Sequence, residues 1–522
     1  MRDFQSPGRS PVFATNGLCA TSHPLAAEAA VEILKAGGNA ADAAIAAAVL
    51  LGICEPQSTG IGGDCFALVK PAGTEEVVAL NGSGRAPAGL DPNALRASGP
   101  TIPLGSAHAV TLPGAIAGFA ALSERFGKLG LARSLAPAIH YAEEGVPVAP
   151  RVAFDWHQAQ GTLQGVAQQH YLQGGMVPAI GSLFRAPGQA EVLRRIAAHG
   201  PQAFYEGEVA DDLLAALANG THTAEDFATT QADWGAPMEG PYRSRSVLEH
   251  PPNGQGTAAL LLAAILAEFD IASMDPLGPE RTHIEAEAQK LAYDARNRFI
   301  ADPSHMADPA RLLCPGLGAE LAALIDPNRA HPQVTSLTEA THRDTVYLCV
   351  VDRDGMAVSL IYSVFHSFGS GLCSPRFGVL LQNRGAGFTL TPGHPNEAGP
   401  GKRPMHTIIP GMLKHGERIE MPFGVMGGQY QAAGHVRLIS NMLDFGMSPQ
   451  AAIDFPRAFA VGGALELEST FPHETRAALV EKGHRIITPK APIGGAQSIR
   501  ILPTGVLEAG SDPRKDGAAI GY

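Results

Sequence analysis

The stretch from His342 to Ser370 constrains the fold more than any other. Two apolar runs rich in β-branched residues, 346–351 and 356–362, flank Asp354-Gly355. Glycine accepts the positive φ that a tight turn demands, so the pattern predicts a hairpin. Thr345 stands immediately before the first run, and Asp344 before it. A hydroxyl residue at the mouth of a buried strand is either an ordinary strand start or a nucleophile. The hairpin alone does not separate the two.

The rest of the chain supplies the context. Ser22 is the expected N-cap of a helix that Gly37-Gly38 stops. A second, alanine-rich helix is predicted over 40–54; Asp42 is its only charge before the closing Cys54, so most of its circumference should be buried. A hairpin is expected from 65–70 and 75–80, around Pro71-Ala72-Gly73. Helical patterns follow near 115–127, 131–144, 187–199 and 208–217. The loop Pro251–Thr257 opens a very apolar helix, either by tight packing or as an anion site at the helix N-terminus. Strands are predicted at 244–249, 378–382 and 407–413, and a helix over 431–445. Hairpins in both halves with helices around them fit two antiparallel sheets stacked face to face and covered by helices. Only 17% of the 522 residues are charged and 60 are glycine, which suits a large, tightly packed core.

Several classes of function drop out. The net charge is −12 and no basic patch interleaves with aromatics, so nucleic acid is not an expected partner. The longest apolar stretches, 40–54 and 258–269, are interrupted by an acid or too short to span a bilayer. The first residues contain no apolar leader segment, and the expectation is a cytoplasmic protein. Six cysteines without a CxxC pair read as buried thiols. The histidines lack ligand spacing, so no metal is expected; His283 and Glu287 are assigned with Lys290, Asp294 and Arg296 to a charged, solvated helix face. Gly60-Ile61-Gly62-Gly63 is not followed by Lys-Ser/Thr, and a strand follows where a helix should open, so no nucleotide cofactor is expected. Arg85 sits in the glycine-rich loop Asn81–Pro87, where it either captures a carboxylate or pairs with an aspartate. Residues 308–341 are the least periodic of the chain, as a processing segment or a linker would be.

Seven stretches, in order, resemble the γ-glutamyltranspeptidase family of N-terminal-nucleophile hydrolases. They are Ala26–Ala46, Glu55–Asp64 (E-P-Q-S-T-G-I-G-G-D), Thr111–Gly118, the D-T-x-x-x-x-V-V-D of the hairpin, Gly401–Met405, Met426–Gln429 (M-G-G-Q) and Ser511–Tyr522. The resemblance implies an α+β fold, a four-layer αββα sandwich, made as one inactive precursor. It implies self-cleavage between Asp344 and Thr345, giving a large subunit 1–344 and a small subunit 345–522 within one intertwined domain. Thr345 would then be the nucleophile and its freed α-amine the base. Gly427 and Gly428 would offer backbone N–H donors to the developing oxyanion, and Ser363 would orient the nucleophile. The product would be an αβ heterodimer, and a low-charge surface permits two such units to associate.

The sequence also departs from the glutathione-cleaving members. They carry Thr-Thr-His after the cut, where this chain has Thr345-Val346-Tyr347. Their acidic and amide residues that hold a substrate amine align with Phe365 and with Arg384-Gly385-Ala386-Gly387. Their tandem serine is replaced by His406-Thr407, and the expected Arg is shifted in register to Arg85. A cation where an acid was favours a carboxylate over an amine. The chain is therefore expected to resemble the amidohydrolase branch, with a small anionic amide, oxamate foremost, bound by Arg85, Arg384, His406 and Thr407. A γ-glutamyl transferase or glutathione hydrolase, a glutaryl or cephalosporin acylase, and an unprocessed binding protein are the competing readings.

Overall fold

The computed structural model describes residues 8–331 and 345–522. Asp344, one side of the expected cleavage site, lies outside the described residues. Strands Val346–Asp352 and Ala357–Ser363 form the predicted hairpin, with Val346 opposite Tyr362 and Val351 opposite Ala357. Gly355 takes φ 81° in the turn, and the Asp352 carboxylate accepts from the backbone N–H groups of Asp354 and Met356. Both strands are buried at every position, which an alternating side-chain pattern achieves only if both faces of the sheet are covered.

Side-chain alternation shows what covers them. Val346, Leu348 and Val350 pack with the helices Pro24–Lys35 and Ala40–Cys54. Tyr347, Cys349 and Val351 turn the other way, into a core shared with Met412, Ile419 and Ile499 of a second sheet. The first sheet runs in the order Ala518–Gly521, Gly17–Thr21, Val346–Asp352, Ala357–Ser363, Asp64–Lys70, Val78–Gly82, Asp233–Gly235. The second runs Val12–Ala14, Leu507–Ser511, Gly495–Ile501, Arg418–Met426, Gly411–His415, Arg245–Glu249, Met238–Tyr242. Helices Gly256–Ala267, Pro279–Phe299 and Gln431–Leu443 cover its outer face through Phe423, Val425 and Leu413. The layers are α, β, β, α, as expected.

Several local expectations change. His23, not Ser22, caps the first helix, its Nδ1 accepting from the Leu25 N–H at 3.3 Å; Ser22 instead donates to the buried Glu55 carboxylate. Residues 378–382 form no strand, because their backbone is drawn into turns against 371–374 and Gly62. Cys314 is exposed while the other five cysteines are buried. The helix Pro279–Phe299 is not a solvated face: Arg281, His283, Glu287, Asp294 and Arg296 are all buried in a polar network. Besides pairs within the helix such as Lys290 with Glu287, its polar groups reach other elements, as Arg281 does with Asn441 at 2.7 Å, which sequence spacing alone does not reveal. Gly62 and Gly63 are packing positions: a Cβ there would lie 2.0 Å from the Leu380 carbonyl oxygen and 2.4 Å from that of Ser363. No helix among the described residues is long and apolar enough to cross a membrane.

The two sheets pack closely beside Tyr347, whose ring lies 2.3 Å from where a Cβ on Gly424 would be. Tyr347 is fully buried and its hydroxyl hydrogen-bonds Ser359 at 2.7 Å. Gly424→Ala is therefore expected to destabilise by ~1–3 kcal/mol through overpacking, read as a lower thermal unfolding midpoint; an unchanged midpoint would contradict this packing.

Candidate active site

The hairpin register places one row of residues across three strands. Val346 faces Tyr362, so Thr345 falls at the level of Ser363, and Ser363 pairs with Asp64 on the next strand. Directly opposed residues share a face. One step inward on that face come Tyr347, Ile361 and Phe66, all in the core between the sheets. Thr345, Ser363 and Asp64 therefore stand at the rim of the inter-sheet layer, on or beside strands buried at every position. All three are fully buried. Thr345 Oγ1 donates to Ser363 Oγ at 3.3 Å, and Ser363 Oγ also accepts from the Phe365 N–H at 2.9 Å. Phe365 is held at φ 79°, a strained conformation for an aromatic residue and a common companion of functional sites.

A cluster of charge lies next to this row. The Asp64 carboxylate accepts from the Gly84 N–H at 2.9 Å and faces Arg384 Nε at 3.7 Å and His406 Nε2 at 3.9 Å. Arg384 is fully buried; its guanidinium stacks over the Phe365 ring at 4.3 Å and reaches Thr407 Oγ1 at 3.5 Å. Burial pushes the Asp64 carboxyl up to about 6, against the opposing pull of Arg384. Burial likewise lowers Arg384, to about 10, so it stays charged at neutral pH. His406 is driven well below its ordinary range by burial and by the cations Arg384 and Arg403, and is neutral. Arg384 Nε and Nη2, Asp64 Oδ2 and both ring nitrogens of His406 are buried without a hydrogen-bond partner among the described residues. Buried donors and acceptors are rarely left unmade without cause.

The second sheet contributes Gly427 and Gly428, directly after the strand Arg418–Met426. They adopt φ 122° and 55°, and a Cβ on Gly427 would lie 2.8 Å from Gly494 Cα, so glycine is required there. Gln255 ties this loop to the charge cluster, its amide donating to the Thr407 carbonyl at 2.7 Å and the Gly428 carbonyl at 3.2 Å. Arg296 holds Gln255 in turn, at 2.8 Å, and also bonds Gln429. A cavity of about 320 Å³ opens here, walled in part by Arg296, Phe365, Ala386, Gly387, Thr407 and Gln429. That lies at the small end of ligand pockets, which span ~300–1,000 Å³.

Of the residues singled out from the sequence, Thr345 and Ser363 touch, and Arg384, His406 and Thr407 gather around Asp64. Arg85 does not join them. Its half-exposed side chain pairs with Asp233 at 3.5 Å and Asp302 at 3.4 Å and bonds the Gly401 carbonyl at 3.1 Å. Its expected carboxylates are thus the protein's own. Asp64, Gln255 and Arg296 were not assigned a role from sequence. A lone acid opening an otherwise apolar strand was the available signal for Asp64; Gln255 and Arg296 carry none, since their role appears only when distant loops meet.

Comparison with known proteins agrees with this architecture along the whole chain. The family model for gamma-glutamyltranspeptidase matches residues 26–522. The chain is 34% identical to a glutathione hydrolase-like YwrD proenzyme of Bacillus subtilis, covering 98% of this chain and 99% of that one. It is 33% identical to the oxamate amidohydrolase proenzyme of Klebsiella pneumoniae, covering 97% and 99%. The cephalosporin acylase of Bacillus halodurans superposes with a TM-score of 0.92 at 40% identity, over 100% of this chain and 99% of its own. These relatives are amide-cleaving hydrolases, and this chain, by the extent of the match and by its layered fold, belongs to the gamma-glutamyltranspeptidase family and is an amide-cleaving hydrolase.

Proposed function

We propose that the protein is an autoprocessed N-terminal-threonine amidohydrolase that cleaves a small amide bearing a carboxylate, with oxamate, giving oxalate and ammonia, as the favoured substrate. Cleavage between Asp344 and Thr345 yields a large chain 1–344 and a small chain 345–522. It converts the nitrogen of Thr345 from an amide without basicity to an amine that takes the hydroxyl proton. Thr345 Oγ1 attacks the carbonyl carbon, with Ser363 holding the hydroxyl in place. Gly427 and Gly428 supply N–H donors to the oxyanion, each contributing ~3 kcal/mol to the transition state. The amine returns the proton to the leaving nitrogen, ammonia departs, and water releases the acyl group by the same path. The unpaired nitrogens of Arg384 and His406, with the Thr407 hydroxyl beside them, receive the substrate carboxylate. The αβ product is the catalytic unit, and its free thiols favour a reducing compartment such as the cytoplasm.

The observation that carries the substrate class is the buried Arg384, charged, stacked on Phe365 and short of hydrogen-bond partners. A side-chain acylase is the second reading, favoured by the likeness to a cephalosporin acylase over the whole chain. Denaturing electrophoresis with intact mass is expected to show fragments beginning at Met1 and Thr345, and Thr345→Ala to remain a single chain; a persistent single wild-type chain would remove the proposal. Processed enzyme should release ammonia from oxamate. Glutamate from glutathione, or acid from a glutaryl or cephalosporin amide, with no ammonia from oxamate would replace the substrate.

Arg384→Gln removes a charge-assisted contact worth ~1.5–3 kcal/mol, so kcat/KM for oxamate should fall ~10- to 100-fold, while an uncharged amide should be affected less. Asp64 sets a pH dependence. Above about 6 its carboxylate opposes Arg384; below, the protonated acid leaves the cation to an incoming anion. Anion binding therefore favours protonated Asp64, and inhibition by oxalate should tighten several-fold as pH falls through that value. Asp64→Asn should flatten this profile; an unchanged profile would exclude Asp64 as its source.

A further inference from the structure

His283 and Glu287 lie one turn apart on the helix Pro279–Phe299, and His484 closes on them from the small-chain side. The three are buried, and their donor atoms lie within 4.8 Å of one another. His283 Nδ1 is 2.8 Å from His484 Nε2, and His484 Nε2 is 3.9 Å from Glu287 Oε1. The Asp326 carbonyl oxygen lies 2.8 Å from His283 Nε2. A carbonyl only accepts, so the proton of neutral His283 sits on Nε2 and a lone pair remains on Nδ1, directed at His484. Metal-binding histidines are oriented by this kind of outer hydrogen bond.

We propose that His283, Glu287 and His484 form a site for a zinc-like divalent transition metal. Two imidazoles and one carboxylate are a donor set that such ions accept, and three protein ligands leave a fourth position for water. Tetrahedral coordination at ~2.0–2.1 Å puts neighbouring donors about 3.3 Å apart. The histidine pair must open slightly, and Glu287 must close on His484 by a similar amount and come within that distance of His283. In the absence of metal, His484 Nε2–H donates to His283 Nδ1. Binding moves that proton to His484 Nδ1, so the charge of the imidazoles does not change and no net proton is released.

The neighbours define both access and competition. Lys290 Nζ donates to Glu287 Oε1 at 2.7 Å and to the His331 carbonyl at 2.9 Å, while the His331 N–H bonds Glu287 Oε2 at 2.9 Å. Lys290 is thus the cation that a metal displaces from Oε1, and it can keep its bond to His331. A cavity of about 640 Å³ runs past Glu287, Lys290 and His331, on the carboxylate side of the cluster. His283 and Glu287 precede Thr345 and His484 follows it, so after the proposed cleavage the ion joins the two chains. The ligand geometry itself does not require the cut.

The test uses the full chain, stripped with a chelator and titrated with cobalt(II) alone. A four-coordinate cobalt spectrum is expected, saturating at one equivalent and abolished by zinc, with zinc raising the thermal midpoint. His484→Gln should lose both signals, and Lys290→Gln should tighten cobalt binding several-fold. Thr345→Ala should bind as wild type, so failure of the cleavage proposal leaves this result standing. A missing cobalt spectrum, or one unchanged in folded His484→Gln, overturns the site. Should His484→Gln fail to fold, unchanged affinity in Lys290→Gln overturns it.

Discussion

Everything in the molecule depends on the burial of one strand on both of its faces. Val346–Asp352 has neighbours along both edges, helices on one side and a second sheet on the other. No side chain on it can turn without displacing a packed layer. The residue that opens this strand therefore inherits a fixed position, although it lies at the margin of the element. The same rigidity extends through the hairpin register to Ser363 and Asp64. The nucleophile role proposed for Thr345 would benefit from such placement, because misorientation of about an ångström can reduce rate ~100-fold.

The rim carries charge that the interior does not welcome. Asp64, Arg384 and His406 are fully buried, and the distances of 3.7 and 3.9 Å from Asp64 to the other two are too long for good hydrogen bonds. Burying such groups is unfavourable unless their polar atoms are matched. Surrounding structure holds them in place: Gly84 on Asp64, Phe365 beneath Arg384, and Gln255 under Thr407. The arrangement is spared the full desolvation penalty when a ligand supplies the missing partners. An anionic ligand would satisfy the free donors of Arg384, whereas a cationic one could satisfy only Asp64 Oδ2, so ligand charge decides which of the two groups is relieved.

Much of the fold was legible because the hairpin, the alanine-rich helix Ala40–Cys54 and the glycine stops are local features. The hairpin strands agree with expectation to within a residue. Thr345, by contrast, was ambiguous from its own neighbourhood, and gained meaning only from motifs elsewhere along the chain. Arg85 shows the opposite failure: an open glycine-rich loop suited ligand capture, but Asp233 and Asp302, distant in sequence, already occupy its guanidinium. His283 and Glu287 had recognisable helical spacing, while the residue that completes their cluster lies 201 positions from His283. Pairings of that range are fixed by packing, which no short spacing encodes.

The strand order has a kinetic meaning. Gly17–Thr21 lies between Ala518–Gly521 and Val346–Asp352, and Asp64–Lys70 lies against Ala357–Ser363. Segments from either side of Thr345 thus share one hydrogen-bonded ladder, and neither keeps a complete sheet without the other. The proposed cut would change connectivity without removing any strand from this ladder. Folding before the cut is a one-molecule process; refolding after it requires two chains to meet and interleave. Were the chain cut as proposed, only the uncut precursor would hold all of these strands on one backbone, and the two products, once unfolded, would have to find each other again.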